Sequence, residues 1–168
     1  MASLSRVSVP SWQTFLRVWS RGFASASTAP AVTEGRMPLT FASTAKAYYQ
    51  SVEVKQVDVP SVQGSFGILP KHVPAIASLK PGVLTVFEES DIKKFFVSSG
   101  AVTVNEDSSV QILAEEAAPL SDFDIAAARS ALDKAQAQLS SAGTERAKAE
   151  ASVAIEVYEA LVKALEGH

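Results

Sequence analysis

The sequence contains no cysteine. This absence excludes disulfide bonds, thiolate nucleophiles and thiolate metal ligands. Histidine is scarce too, because only His72 and His168 are present, and a histidine-rich metal site is therefore excluded. The chain also lacks any run of about 20 apolar residues, which is the length that a helix needs to cross a bilayer, so no membrane span is predicted.

Charge is distributed unevenly along the 168 residues. Residues 1–36 carry four arginines and one glutamate, whereas residues 37–168 carry 11 basic and 17 acidic side chains. An acidic body repels nucleic-acid phosphates, and no basic stripe with interleaved aromatic residues occurs in it. The composition therefore argues against a nucleic-acid partner.

Residues 1–23 are rich in arginine and serine and contain no acidic side chain. Their bulky apolar residues share one face of a helix, at Trp12, Leu16, Trp19 and Phe23. Such a segment is typical of a mitochondrial transit peptide, and the motif RGFAS predicts cleavage after Phe23. A basic disordered tail is the alternative, and Pro10 and Arg17 argue against a secretory signal. Residues 24–38, rich in alanine, serine and threonine, are predicted to form a flexible linker.

Residues 39–119 contain short runs of valine, isoleucine and phenylalanine, separated by turn residues about every 8–12 positions. This spacing predicts antiparallel strands in a β-sandwich, and the lack of intervening helical patterns argues against a parallel sheet. In one continuous strand, Tyr48 and Val54 would point to one face and Val57 would point to the other. We therefore expect a bulge or break near residues 55–56.

Residues 120–168 change to a helical period, and apolar residues at steps of three and four predict an antiparallel two-helix hairpin. The predicted seam consists of Ile125, Ala128, Leu132, Ala135, Leu139, Ala147, Ala151, Ala154, Tyr158, Leu161 and Leu165. Ser121 and Asp124 resemble a capping box at the start of the first helix. Gly143 is predicted to cap its end, and Thr144 to cap the start of the second. Since alanine dominates the seam, the hairpin is expected to need a second surface, either the sandwich or a partner.

Catalytic groupings are scarce in this sequence. A set of Ser65, His72 and Asp58 lacks the strand-turn-helix surroundings of a nucleophile elbow. No phosphate-binding glycine loop is present. Asp124 and Arg129 form either a helix-face ion pair or part of a ligand site. The sequence therefore predicts a protein without catalytic residues, metal or cofactor, and a small enzyme that uses His72 is the weaker alternative.

The stretch GSFGILPKHVP, residues 64–74, has the composition of a stiff loop. Its two glycines suit tight turns and its two prolines keep the segment extended. Phe66, Ile68 and Leu69 are expected to anchor it on the core. Lys71 and His72 would then lie at its exposed tip. This pattern favours a loop that contacts another protein, and an ordinary sandwich corner is the alternative.

Three stretches occur in an order that resembles one family. They are GSFGILPKHVPAIASLKPGVL, the strand pair FFVSSGAVTV, and LSDFDIAAARSALDKAQAQL before the second helix. The pattern is similar to that of the F-type ATP synthase subunits that are called delta in mitochondria and epsilon in bacteria and chloroplasts. The resemblance covers about residues 38–166.

This resemblance implies a non-catalytic subunit of the rotating central stalk, peripheral to the mitochondrial inner membrane on its matrix side. Its partners would be the gamma subunit, the small mitochondrial epsilon subunit and the membrane-embedded c-ring. Proton flow would turn the ring, and the subunit would couple that rotation to gamma and to ATP synthesis.

The resemblance also implies which residues face the c-ring. These are Gly64, Ser65, Phe66, Gly67, Pro70, Lys71, His72 and Pro74. Ser65 departs from related sequences, which often have an acidic residue at this position. Some bacterial relatives bind ATP through an Asp-x-x-Arg-Ala pattern, but Asp124 and Arg129 are five residues apart and Ser130 follows. Nucleotide binding is therefore not carried over from these relatives. An ATP-sensing module, in which the hairpin binds nucleotide, is the alternative to the stalk subunit.

Overall fold

A computed structural model describes residues 35–167 of the chain. The predicted transit peptide at residues 1–23 lies outside the described residues. The strands are β1 (Met37–Ser43), β2 (Ala47–Val54), β3 (Gln56–Ser61), β4 (Gly64–Ile68), β5 (Ala75–Leu79), β6 (Gly82–Phe87), β7 (Ile92–Val97), β8 (Gly100–Val104), β9 (Val110–Ala114) and β10 (Ala117–Pro119). A short 3-10 helix at Leu120–Asp122 leads to α1 (Ile125–Ser141) and α2 (Glu145–Glu166). The predicted class, a β-sandwich followed by a helical hairpin, is confirmed.

The ten strands belong to one hydrogen-bonded sheet that curls on itself. Its order is β10-β7-β6-β3-β5-β8-β9-β1-β2, and β4 pairs with β3 alone. The sheet has two halves: the first contains β10, β7, β6, β3 and β4, and the second contains β5, β8, β9, β1 and β2. The halves are joined where Ser61 of β3 pairs with Leu79 of β5. One pair differs from the antiparallel expectation, because β1 and β9 are parallel. These strands are distant in sequence, so no tight turn imposes an antiparallel pairing on them.

The core lies between the two halves of the sheet. Apolar residues from both halves form one buried cluster, in which Phe41, Leu84 and Ile112 are among the largest side chains. Phe41 stacks on Tyr48 with ring centroids 5.0 Å apart and meets the edge of Phe95 at 5.3 Å. Such aromatic contacts favour one arrangement of the two halves.

Two irregularities shape the strands that begin the sheet. The predicted break is confirmed, since β2 ends at Val54 and β3 begins at Gln56. A second irregularity was not predicted: the β1–β2 register shifts after Leu39, and Ser51 has a positive φ of 52°. The predicted linker boundary at residue 38 is also corrected, because β1 begins at Met37, whose side chain is fully buried.

The helix ends differ in part from the sequence pattern. Asp124 itself caps α1, and its side chain accepts a hydrogen bond from the Ala126 amide at 3.0 Å, so Ser121 is not the cap. Thr144 caps α2 as predicted, accepting from the Ala147 amide. Gly143 does not cap α1, because the helix ends at Ser141 and Ala142, in an extended conformation, is its C-cap residue.

The hairpin packs against the outer face of the first half of the sheet. Phe96 of β7 and Leu120 form a second buried cluster with Ala128 of α1 and Leu161 of α2. All eleven predicted seam residues are buried or half-buried. An exposed ion pair between Arg129 and Glu166, 2.8 Å long, joins the start of α1 to the end of α2.

Candidate interaction surfaces

The structure gives the candidate catalytic residues structural partners. His72 lies in the β4–β5 loop, where its Nδ1 is 2.7 Å from the Val73 carbonyl oxygen and its ring lies near Phe66. Asp58 accepts a hydrogen bond from the side-chain amide of Gln56 at 2.6 Å. Within residues 35–167, no group of three His, Cys, Asp or Glu side chains is arranged to hold a metal ion. None of the helices in the same range is long and apolar enough to cross a membrane.

The predicted loop at residues 64–74 is not one loop. Its first part, Gly64–Ile68, is strand β4, which runs from the β3–β4 turn to the opposite end of the sheet. The remaining residues form the β4–β5 loop at that opposite end. A five-residue strand spans about 14 Å, so the two parts form separate surfaces. Ile68 is buried as expected, but Leu69 is 53% exposed and does not anchor the loop.

Gly64 and Lys71 account for the turns at the two ends of β4. Gly64 has a φ of 128°, a conformation that glycine adopts without steric cost. Lys71 has a φ of 65° in the turn where the His72 amide donates to the Leu69 carbonyl oxygen. The side chain of Lys71 is therefore held at the exposed tip of a defined turn.

The outer side of the second half of the sheet is uncharged where strands β5, β8, β9 and β1 cross it. Two rows of residues cross four adjacent strands there, as the register of β5, β8, β9 and β1 shows. One row is Ile76, Thr103, Gln111 and Thr40, and the other is Ser78, Ala101, Leu113 and Ala42. We call these eight residues the uncharged face. Ile76 is 81% exposed and Leu113 is 62% exposed, so two large aliphatic side chains stand in solvent.

An apolar groove of about 490 Å³ lies between the sheet edge and α2. It is lined by Phe96, Ser98, Glu116, Ala117, Ala118, Phe123, Ala154, Val157, Tyr158 and Leu161. Phe96 and Phe123 meet edge to face, with centroids 5.8 Å apart. Strand β10 forms the edge of the sheet here, since it pairs with β7 alone. The groove therefore offers both an apolar surface and a strand edge.

A polar cluster closes the sheet where β2 approaches the β6–β7 turn. Arg36 contacts Glu89 at 2.6 Å, and Lys93 contacts Glu88 at 2.8 Å. The Tyr49 hydroxyl donates to Glu88 at 2.6 Å. Burial and the adjacent Glu88 carboxylate raise the pKa of Tyr49. Hydrogen bonds from Lys93 and Tyr49 lower the pKa of Glu88. These contacts join the two halves of the sheet. This structural role accounts for the presence of the charged cluster, so a catalytic role is not needed to explain it.

The described residues thus form a curled β-sheet with a docked helical hairpin, and they leave neutral and apolar surfaces exposed. The family described as "ATP synthase, Delta/Epsilon chain, beta-sandwich domain" matches residues 36–120. The family described as "Metazoan delta subunit of F1F0-ATP synthase, C-terminal domain" matches residues 123–164. The chain belongs to the delta/epsilon family of ATP synthase subunits.

Several relatives that match most of the chain are named as mitochondrial delta subunits. It is 46% identical over 153 residues to "ATP synthase subunit delta, mitochondrial" of Caenorhabditis elegans, covering 90% of this chain and 93% of the relative. It is 44% identical over 130 residues to the protein of the same name from Agaricus bisporus, covering 77% and 80%. The fold is similar to a chain in the Euglena gracilis mitochondrial ATP synthase OSCP/F1/c-ring structure, with a TM-score of 0.73 and 23% identity. That match covers 98% of this chain and 99% of the other.

Proposed function

We propose that the chain is a non-catalytic subunit of the rotating central stalk of mitochondrial ATP synthase. In this role it transmits the rotation of the c-ring, which proton flow drives, to the gamma subunit and so to ATP synthesis. It works on the matrix side of the inner membrane. The names of the relatives support this role, as do the structures that share its fold, which are described as containing a c-ring or a central stalk.

The uncharged face carries this proposal and is assigned to the gamma subunit. The cores of protein interfaces are depleted in charged residues, and eight neighbouring outward positions without a charge stand out in a chain with 20% charged residues. Four strands make a face about 15 Å wide, which suits the centre of a larger contact. A rotor joint transmits torque through such a contact because a β-sheet resists shear along its hydrogen-bonded strands.

The apolar groove is assigned to the small epsilon subunit. Its occupant must bury aliphatic or aromatic side chains against Phe96 and Phe123, and the edge of β10 offers backbone groups to an added strand. A basic residue in the occupant would meet Glu116 at the rim of the groove. These features favour a small protein partner over a polar metabolite.

The c-ring is assigned to strand β4 and the two surfaces at its ends. The eight residues implied by the family resemblance lie along β4 and at its two ends, and Phe66 packs its side chain against the core. The others meet one flat partner only if β4 lies along it. Because β4 is an edge strand that pairs with β3 alone, it is free to do so. Because the chain contains no cysteine, a single introduced cysteine is its only thiol, and a cross-link from the chain can be assigned to that position. Ser65→Cys and Lys71→Cys should both cross-link to the ring, and a cross-link from one position alone would reject the lengthwise orientation.

The gamma assignment is tested with the pair Ile76→Glu and Leu113→Glu in tagged chains expressed in mitochondria. We expect the double variant to lose most of its co-purification with gamma, because two carboxylates would be buried without partners. Val153→Glu is the matched control, since Val153 is 61% exposed on α2. Its recovery with the complex should be normal. Normal recovery of gamma with the double variant would overturn the assignment.

The alternative of an ATP-sensing hairpin is less well supported. Asp124 is engaged as the cap of α1, and Arg129 pairs with Glu166. Neither side chain is directed to a shared ligand position by these contacts. Titration of the full chain with ATP tests the alternative, and binding that is lost in Arg129→Gln would favour it over a purely mechanical subunit.

A further inference from the structure

The uncharged face is not uniformly apolar, because one of its two rows has polar side chains at its centre. In that row Gln111 of β9 lies between Thr103 of β8 and Thr40 of β1, and the register pairs it with both. Ile76 of β5 comes next to Thr103, and Leu113 lies two residues further along β9 on the same face. Since adjacent strands are about 4.8 Å apart, the three polar residues form a continuous strip. We call Thr103, Gln111 and Thr40 the polar strip.

Gln111 is the member of the polar strip with the most unused hydrogen-bonding capacity. The hydroxyl of Thr40 is engaged, since it accepts a hydrogen bond from the Ser51 amide at 3.2 Å. Gln111 is exposed and Thr103 is half-buried, and within residues 35–167 neither side chain makes a hydrogen bond. A glutamine amide has two N–H donors and an acceptor oxygen, so all of these groups are left to water or to a partner.

A partner that covers the uncharged face must take the Gln111 amide out of water. A buried amide that finds no new partner opposes binding, whereas one that gains a hydrogen bond does not. Ile76 and Leu113 flank the polar strip, and their packing against a partner would keep solvent out of it. Gln111 therefore either weakens the contact or meets a polar group of the partner.

We propose that Gln111 determines the specificity of the gamma contact, an inference that rests on the proposed assignment of the uncharged face to gamma. Its side-chain amide bonds a polar group of gamma, and the neighbouring Thr103 hydroxyl adds a second hydrogen-bonding position. Apolar contacts are non-directional, so they resist sliding poorly. A directional bond from Gln111 fixes gamma along the strands, because a shift of a few ångströms would leave the amide unpaired.

The contrary explanation is that Gln111 only keeps the exposed strand solvated. The two explanations predict opposite effects of an apolar replacement of similar shape, such as Gln111→Met. If the amide meets a polar group of gamma, methionine leaves that group buried and unpaired and weakens the contact. If the contact is apolar throughout, methionine adds apolar area and maintains or strengthens it.

Competition between two differently tagged full chains in the same mitochondria tests the proposal. One chain is unaltered and the other carries Gln111→Met. Mass spectrometry compares their ratio in the material that co-purifies with gamma with their ratio in whole mitochondria. We expect the Gln111→Met chain to be depleted about fivefold or more. Thr103→Val, which removes one hydroxyl at nearly constant volume, should be depleted by less.

Gln138→Met is the matched control, since Gln138 is an exposed glutamine on α1. This chain should be recovered with gamma in the ratio in which it is expressed. Thermal unfolding of the full chain should be nearly the same for both methionine variants, because neither glutamine side chain makes a hydrogen bond within residues 35–167.

The results separate this inference from the assignment beneath it. Undiminished recovery of Gln111→Met, in an experiment where Ile76→Glu with Leu113→Glu loses gamma, would overturn the role of Gln111 and leave the assignment of the face intact. Retention of gamma by the double glutamate variant would overturn both. Equal depletion of Gln111→Met and Gln138→Met would indicate a general effect of methionine and would also overturn the role of Gln111.

Discussion

At the scale of single residues, the contact of Tyr49 with Glu88 and Lys93 decides how the sheet closes. The tyrosine belongs to β2 and its two partners belong to the β6–β7 hairpin, so one hydroxyl links distant parts of the chain. Lys93 also lies over the Tyr49 ring, 5.8 Å from its centroid. Burial of the neutral phenol explains why the hydroxyl resists ionisation.

The raised pKa of Tyr49 predicts that the folded protein is less stable at alkaline pH. The unfolded phenol ionises near pH 10, whereas the folded one stays neutral to higher pH, so the free energy of unfolding should decrease as the pH rises above about 10. Tyr49→Phe should lower stability by about 0.5–1.5 kcal/mol at neutral pH and flatten the alkaline decrease. Urea unfolding at a series of pH values measures both effects. An unchanged alkaline slope in Tyr49→Phe, or the same flattening in Tyr158→Phe, would contradict this account.

Gly100 illustrates a residue whose lack of a side chain is structural. An added Cβ would lie 2.8 Å from the Ala114 Cα and closer still to the Leu113 carbonyl oxygen, both in the backbone of β9. Gly100→Ala should therefore force β8 away from β9 and cost about 1–3 kcal/mol. Gly143→Ala is the control, since nothing lies within 4 Å of its added Cβ and its φ is not positive. Thermal unfolding compares the two, and equal midpoints would refute the steric argument.

At the scale of elements, the hairpin depends on a small apolar contact. The hairpin meets the sheet where Leu161 of α2 packs with Phe96 of β7 and with Leu120 of the 3-10 helix. Alanines fill much of the seam between α1 and α2. Alanine buries little area, so the free energy that holds the helices comes mainly from the few larger side chains. The hairpin should therefore open before the sheet does.

Leu161→Ala tests this hierarchy. Removal of a buried leucine side chain costs about 2–5 kcal/mol, and the loss should fall on the hairpin rather than on the sheet. Hydrogen exchange should accelerate in α1 and α2 while β1 and β9 keep their protection. Val153→Ala, at an exposed position of α2, should change exchange by little. Uniform acceleration across the sheet in Leu161→Ala would instead indicate one cooperative unit.

Element types were predictable from the sequence more reliably than element ends. Period-two and period-three-to-four patterns indicated strands and helices because burial acts on one face of each element. The cap of α1 was assigned wrongly because Ser121 and Asp124 both have capping side chains, and only the entry angle of the chain selects between them. The exposed residues of the uncharged face were missed, although Ile76 and Leu113 break the usual polar-outward alternation of their strands.

At the scale of the whole molecule, the predicted transit peptide has a simple consequence. Both tryptophans, Trp12 and Trp19, precede the predicted cleavage after Phe23. Chain recovered from the mitochondrial matrix should therefore lack tryptophan emission and keep only that of its tyrosines. Fluorescence and mass spectrometry of the imported protein measure this. If the processed chain retains tryptophan emission, cleavage must occur before Trp19, and the predicted site after Phe23 is wrong.

Composition and local patterns establish the absence of thiol chemistry, the order of sheet and hairpin, and, through the glycines and prolines of residues 64–82, the resemblance to one family. These features are local or compositional, so the chain order carries them. The folded chain was needed to show that β1 and β9 pair in parallel and that residues 64–74 divide between the two ends of a strand. Contacts between residues far apart in sequence depend on how the sheet curls, and no local pattern specifies that curvature.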